Sequence, residues 1–176
     1  MFMEKIDKSF LKKCMLCIIF DQGIKVLIYK FGMTSEFNIL STIIGFAPQF
    51  NRKLSMLGHH SAVFANEIFL CFFNVFALYV YISGYAFYKE KKYCDYSVTA
   101  MVIVIMGISG ATCSLIDKVI WNGSLDYIRI KNFYTFDLKD CYITISQILF
   151  ILCGIKHRKE ISLSEYWIYL KKTLFK

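Results

Sequence analysis

The stretch from residue 97 to residue 121, SVTAMVIVIMGISGATCSLIDKVIW, decides the fold class of this chain. It contains no charged residue before Asp117, and it exceeds the roughly 20 mostly apolar residues that cross a bilayer as a helix. The whole chain has the same character, with 57% apolar residues and a mean hydropathy of +0.48. Ordinary soluble domains contain about 45–50% apolar residues, and disordered chains fewer. Both classes are therefore excluded.

The net charge of +8 does not indicate a nucleic-acid partner. The basic residues stand between long apolar blocks, whereas a nucleic-acid binder gathers them on one polar face. Lysines and arginines at the ends of apolar blocks are typical of a membrane protein.

The apolar blocks predict an all-α membrane protein, a single integral membrane domain over residues 1–176. Four transmembrane helices are expected, at about 10–31, 61–87, 97–121 and 138–155.

The lysines predict the orientation of these spans. Basic residues precede the first span, occupy the loop at 88–96 and follow the last span. The positive-inside rule then places both termini, the 88–96 loop and the tail at 156–176 in the cytoplasm. The segments at 32–60 and 122–137 face the other side.

Two pieces outside the spans have their own patterns. Residues 36–60 mix aromatic and β-branched residues with Gly45 and Pro48, which predicts short strands and turns. Residues 161–176 combine aromatics with lysines. This tail is either an interfacial amphipathic helix, which we favour, or a simple stop-transfer tail.

The cysteines and histidines do not predict a metal site. Cys14 and Cys17 have a C-x-x-C spacing, but neither a second pair nor a nearby histidine completes a site. The cysteines lie in or at the end of apolar runs, where free thiols are readily buried. We therefore expect no metal.

Aspartates are concentrated on one side of the predicted bundle. Those in or beside the outward halves of the spans are Asp21, Asp117, Asp126, Asp137 and Asp140. An ionisable residue in a span is costly and suggests function. Asp21 and Lys25 are four residues apart on one helix face and should pair. That pair either serves the site or only makes the helix tolerable in lipid.

The third span carries a predicted polar face. Gly110, Ser114 and Asp117 recur at helical spacing, with Lys118 beside them. A glycine permits close helix approach, and the hydroxyl and carboxylate predict a polar seam towards the bundle interior. Lys118 either neutralises Asp117 or extends outward.

Asp126 and Asp140 flank the outward segment between the last two spans. Two carboxylates that meet at the membrane boundary do not both ionise easily, so identical side chains become an acid and a base. Such a pair can activate water against a peptide carbonyl. G-x-S-x-G, Walker A and H-E-x-x-H motifs are all absent from the chain.

Five motifs in order resemble those of prolipoprotein signal peptidase (signal peptidase II). Asp21-Gln-Gly-Ile-Lys25 resembles its D-Q-x-x-K element, and Asn51 its outward asparagine. Residues 110–118 resemble G-x-x-x-N-x-x-D-R, residues 125–128 V-D-F-I, and residues 136–140 F-N-x-A-D. Departures of the chain from these patterns include Ser114, Lys118, Tyr127 and Asp137.

This resemblance implies an aspartic endopeptidase that removes signal peptides from lipid-modified prolipoproteins, just before the diacylglyceryl cysteine. It implies a site towards the outer leaflet of a bacterial cytoplasmic membrane, a catalytic dyad of Asp126 and Asp140, and a small extracytoplasmic β-cradle at about 36–60. The residues implied to shape the site and bind substrate are Asp21, Lys25, Asn51, Gly110, Ser114, Asp117 and Lys118. No cofactor is implied; the expected partners are prolipoproteins and membrane lipids, and the chain is expected to be a monomer.

Two other functions remain open at this point. A catalytically altered relative would bind lipoproteins or a membrane partner without cleaving them. A small four-span transporter would use Asp21 and Lys25 as a charge relay, but it would place its charges near the bilayer midplane and break its helices there.

Overall fold

A computed structural model describes residues 8–40, 43–52, 67–90, 97–156 and 163–174. Parts of several sequence predictions lie outside these ranges. They are the start of the second span at 61–66, the end of the cradle at 53–60, most of the 88–96 loop, and the beginning of the tail at 157–162.

Five helices match the predicted apolar blocks and the tail. They are α1 (Lys8–Phe31), α2 (Glu67–Glu90), α3 (Ser97–Val119), α4 (Leu138–Lys156) and α5 (Leu163–Leu174). Within the described residues, α2, α3 and α4 are long and apolar enough to cross a membrane. Helix α1 has 24 residues but carries several charges, so its membrane crossing stays a prediction.

Helix α3 lies at the centre of the bundle. It packs against α1, α2 and α4, and 56% of its apolar span is buried, compared with 11% for α2 and 17% for α4. Large apolar side chains cover the outside of the surrounding helices, among them Ile19, Phe72 and Phe150, which are 59%, 71% and 65% exposed. So much exposed apolar surface is suited to lipid rather than water.

Two glycines of α3 permit its close packing. A Cβ atom on Gly107 would collide with the Tyr81 ring of α2, and one on Gly110 would lie 2.6 Å from Ile143 Cγ1 of α4. The predicted close helix approach at Gly110 is thus confirmed. Small residues bring membrane helices together where the hydrophobic effect cannot.

A four-stranded antiparallel sheet lies at one end of the bundle. Its strands β1 (Phe37–Leu40), β2 (Ile44–Asn51), β3 (Ser124–Ile130) and β4 (Thr135–Phe136) are adjacent in that order. Strands β1 and β2 confirm the predicted strand character of this part of the 36–60 segment. The outward segment at 122–137, for which the sequence analysis predicts no strands, contributes β3 and β4 to the same sheet.

The sheet is anchored on helices α1 and α4 by apolar contacts. Leu125 and Tyr127 of β3 form a buried cluster with Ile28 of α1, and Leu138 at the start of α4 packs against it. Burial of these side chains stabilises the position of β3 over the bundle, at roughly 25 cal/mol per Å² of apolar surface removed from water.

A tight turn leads from α3 into β3. Asn122 has a φ of 52° and Gly123 a φ of 148°, both in the region that favours asparagine and glycine. A Cβ atom on Gly123 would also lie 3.2 Å from the Asn51 carbonyl oxygen. The turn therefore sets β3 directly against β2, only a few residues after the polar end of α3.

Helix α5 confirms that most of the tail is helical. It packs on the far end of α2, where the Ser83 and Tyr166 hydroxyls are 2.6 Å apart and Phe87 contacts the rings of Tyr166 and Tyr169. This end of α2 is opposite to the sheet, because Asn74 near the start of α2 contacts Ser114 near the end of α3.

Candidate active site

Helix α1 contributes the predicted pair of Asp21 and Lys25. The Lys25 ammonium lies 3.1 Å from Asp21 Oδ2, and both side chains are fully buried, which confirms the i,i+4 pairing. Lys25 Nζ also lies 2.6 Å from Asp117 Oδ2 of α3 and 2.6 Å from Asp137 Oδ2, just before α4. One ammonium thus joins three segments of the chain that are far apart in sequence.

The start of α4 is held by carboxylates. Asp140 N donates to Asp137 Oδ1 at 3.2 Å, and Asp137 N donates to Asp140 Oδ2 at 3.3 Å. This reciprocal arrangement is a capping box, with Asp137 as the N-cap. Lys139 N donates to Asp21 Oδ1 at 3.1 Å. Three N–H groups at the beginning of α4 are therefore satisfied in a buried setting, where orphan donors would be costly.

Asp137 has a structural role that the sequence did not reveal. The N-cap requires a short side chain with an acceptor oxygen, a role that asparagine and aspartate fill about equally well. Burial opposes ionisation of Asp137, but the ammonium groups of Lys139 and Lys25 outweigh it and hold the pKa of Asp137 below its usual range. The extra carboxylate at this position is therefore compensated.

Strand β3 contributes Asp126, which is 3% exposed. Its Oδ1 accepts a hydrogen bond from Ser124 Oγ at 2.6 Å, and its Oδ2 accepts one from Asn51 Nδ2 of β2 at 3.1 Å. The register pairs Asn51 with Ser124, which brings the asparagine to this carboxylate. Burial raises the pKa of Asp126, and the two hydrogen bonds and the Lys139 ammonium oppose this rise.

Asp126 and Asp140 meet at the junction of β3 and α4. One carboxylate oxygen each of Asp126, Asp137 and Asp140 lies within 4.8 Å of the others. The Asp140 side chain is 40% exposed, whereas that of Asp126 is 4% exposed. A buried and a half-exposed carboxylate at this separation can share a proton and hold a water molecule between them.

Lys139 lies in the middle of this cluster. Its Nζ is 2.6 Å from Asp137 Oδ2, 3.9 Å from Asp126 Oδ1 and 3.8 Å from Asp140 Oδ1. Three carboxylates so close together are also a donor set that can hold a metal ion. Here an ammonium of the chain itself already supplies a positive charge to all three.

Ser114 and Lys118 form a neighbouring polar contact. Lys118 Nζ donates to Ser114 Oγ at 2.6 Å, and Asn74 Nδ2 of α2 donates to the same oxygen at 3.3 Å. The expectation that Lys118 either neutralises Asp117 or extends outward was wrong. Lys118 turns back onto its own helix, and Asp117 pairs with Lys25 and Lys139 instead.

Three polar residues of this site are absent from the sequence prediction: Gln22, Ser124 and Lys139. Gln22 Nε2 donates to Asp21 Oδ2 at 3.0 Å and to Asp117 Oδ1 at 3.2 Å, while its Oε1 accepts from Trp121 Nε1 at 2.9 Å. Gln22 and Lys139 stand within the motifs quoted above, so their position was a signal. Ser124 stands two residues before Asp126 on the same face of β3, but the sequence analysis predicts no strand there.

A family model described as "Signal peptidase (SPase) II" matches residues 13–156. The chain belongs to the signal peptidase II family. It is therefore a member of a peptidase family that processes lipoproteins, and a multi-pass membrane protein. The resemblance identified from the motifs is confirmed.

The fold is shared with solved structures described as bacterial membrane enzymes. One, solved by the in meso method at 2.3 Å, has a TM-score of 0.69 and 20% identity, and the match covers 88% of this chain and 92% of the other. A second, at 1.9 Å, has a TM-score of 0.66 and 19% identity, covering 84% and 93%. No curated protein sequence matches this chain.

Proposed function

We propose that this member of the signal peptidase II family cleaves the signal peptide of lipid-modified prolipoproteins before the diacylglyceryl cysteine. The observation that carries the proposal is the approach of Asp126 and Asp140. They come from different elements, a strand and a helix, and their carboxylate oxygens lie within 4.8 Å of each other. A peptidase without a nucleophilic side chain needs such an acid and base.

In the proposed reaction the two carboxylates share one proton. The ionised one removes a proton from a water molecule, which attacks the carbonyl carbon of the scissile amide. The protonated one stabilises the developing oxyanion and then supplies a proton to the leaving nitrogen. The C–N bond breaks, a new carboxylate and a free amino group form, and the two residues exchange protonation states.

Surrounding residues keep the two carboxylates in place for this chemistry. Asn51 and Ser124 hold the buried Asp126, while the capping box fixes Asp140. Beneath them, Asp21, Lys25 and Asp117 tie α1 to α3. We propose that Gly110, Ser114 and Lys118 support the same end of α3 and its neighbours.

The proposed orientation places the sheet and the dyad outside the cytoplasmic membrane of a bacterium, with both termini inside. The support comes from the two ends of the bundle. The dyad lies at the sheet end, whereas α5, which carries Lys171 and Lys172 in its last turn, packs at the other. Exposed apolar side chains on the sheet, such as Phe37 and Leu40 at 55% and 61%, suit contact with the lipid surface.

A gel-shift cleavage assay with a lipid-modified precursor tests the proposal. The wild type, Asp126→Asn and Asp140→Asn would be compared in detergent or bilayers. Asparagine keeps the size of the side chain but cannot titrate, so each variant should stay folded and lose at least about 100-fold in activity. Glu165→Gln, an exposed carboxylate on α5, is the matched control and should cleave normally.

Two results would overturn the assignment. A folded wild type that leaves every lipidated precursor intact would favour the alternative that this chain is a catalytically altered relative, which binds lipoproteins or a membrane partner without cleaving them. Cleavage by Asp126→Asn or Asp140→Asn at the rate of Glu165→Gln would remove that aspartate from the chemistry.

A further inference from the structure

Lys139 is a buried lysine beside the proposed dyad. Its side chain is 8% exposed, and its Nζ lies within 4 Å of both Asp126 and Asp140. The F-N-x-A-D element quoted above has asparagine and alanine where this chain has Asp137 and Lys139. The chain therefore carries one extra negative and one extra positive charge at its site, and these two charges contact each other at 2.6 Å.

Lys139 fixes the direction of one hydrogen bond to the dyad. Its ammonium donates to Ser124 Oγ at 2.6 Å, and Ser124 Oγ lies 2.6 Å from Asp126 Oδ1. A serine hydroxyl has a single proton to donate. Because the ammonium occupies one side of the Ser124 oxygen, the hydroxyl proton is directed to the nearest acceptor, Asp126 Oδ1.

The ammonium also acts on both carboxylates by its charge. An opposite charge within about 4–6 Å favours the ionised form of a carboxylate, and burial of the cluster reduces screening by water. The charged groups that face Lys139 come from every element around it. They are Lys25 of α1, Asp117 and Lys118 of α3, Asp126 of β3, Asp137 before α4 and Asp140 of α4.

We propose that Lys139 is a positioning residue that orients the Ser124 hydroxyl towards Asp126 and sets the pH range in which the dyad carries its single negative charge. Asp137 is its counter-charge, so that the pair adds control over the dyad without changing the net charge of the site. This inference rests on the proposed function, since it presupposes that Asp126 and Asp140 are the reacting groups.

The pH profile of kcat/KM for a lipidated precursor tests this role. Lys139→Met keeps the length of the side chain and removes the ammonium, so the first ionisation of the dyad should require a higher pH. The acid limb of the profile should then move up by about 1–3 pH units. Asp137→Asn removes the opposing charge, and its acid limb should move to lower pH.

The double variant Asp137→Asn/Lys139→Met distinguishes tuning from simple damage. It removes both charges together, while the introduced asparagine keeps an acceptor for the N-cap, so the acid limb should return towards the wild-type position. The double variant is also the safeguard on folding, because it removes one positive and one negative charge and so keeps the net charge of the buried cluster. Lys156→Met, at the other end of the same helix, is the matched control and should leave the profile unchanged.

The outcomes separate this inference from the proposed function. An active wild type whose acid limb stays in place in Lys139→Met and in the double variant would overturn the positioning role alone. A Lys139→Met variant whose activity falls by the same factor at every pH would also overturn the positioning role alone. A wild type that cleaves at no pH would overturn both proposals.

Discussion

Lys25 and Lys139 share two aspartate partners but differ in the others. Each ammonium lies between aspartates of several elements, and both contact Asp117 and Asp137. The third partner of Lys25 is Asp21, which is fully buried on the same helix. Lys139 instead faces Asp126 and the half-exposed Asp140. The comparison indicates that the same ion-pair chemistry can hold helices together in one place and, in our proposal, adjust the dyad a few ångströms away.

The first prediction removes the charge from the deeper lysine. Lys25→Met leaves Asp21, Asp117 and Asp137 with only Lys139 to offset them, and breaking a buried ion pair in this way costs about 3–5 kcal/mol. We expect a large fall in the thermal unfolding midpoint in detergent. Activity should fall with it, without a shift of the pH profile in the fraction that remains folded.

Lys30→Met is the control for this substitution, since Lys30 is exposed in the last turn of the same helix. An unfolding midpoint for Lys25→Met equal to that of Lys30→Met would show that the deeper cluster does not hold the helices together.

The second prediction concerns the dyad side of the comparison. Asn51→Ala removes one donor from Asp126, whose pKa burial already raises. Loss of the donor should raise that pKa further, so the acid limb of kcat/KM should move to higher pH, by roughly one unit for a hydrogen bond to a charged group. Activity should therefore fall more at acidic pH than at neutral pH.

Asn38→Ala, an exposed asparagine in the same sheet, is the matched control. Equal losses at all pH values in Asn51→Ala would mean that Asn51 only stabilises the sheet.

The smallest effect is expected where charges pair at the surface. Glu36 lies 3.3 Å from Arg129, and their side chains are 65% and 43% exposed. Because water and salt screen such a pair, Glu36→Gln should change the free energy of unfolding by only about 0–1 kcal/mol. Unfolding at low and high salt measures this. A loss as large as that of Lys25→Met would contradict the distinction between buried and exposed pairs.

The site predictions that depend on the geometry of a single helix are confirmed. Asp21 and Lys25 were expected to pair because a helix brings i and i+4 together, and they do. Gly110 was expected at a close helix approach, and Ile143 of α4 lies there. Both predictions depend on the geometry of one helix, which is known from the sequence alone.

The directions of the lysine side chains were predicted less well. Lys118 was expected either to neutralise Asp117 or to extend outward, whereas it contacts Ser114 of its own helix. Lys139 stands within a quoted motif but was not recognised as a site residue, because its position in the motif does not show which way its side chain turns. Four carboxylates from three elements lie within 4 Å of its ammonium. This cluster of charges exists only in the folded chain.

The amino-acid sequence by itself determined the apolar blocks, the same-helix pair of Asp21 and Lys25, and membership in the signal peptidase II family. The apolar blocks and the ion pair follow from composition and local spacing, and the family follows from the resemblance of five motifs in order. Only the tertiary structure decided that β3 joins the sheet, that Asp126 therefore meets Asp140, and that Lys139 lies between them. The reason is physical: strand register, the turn at Gly123 and the packing of α3 are set by contacts between segments far apart in the chain.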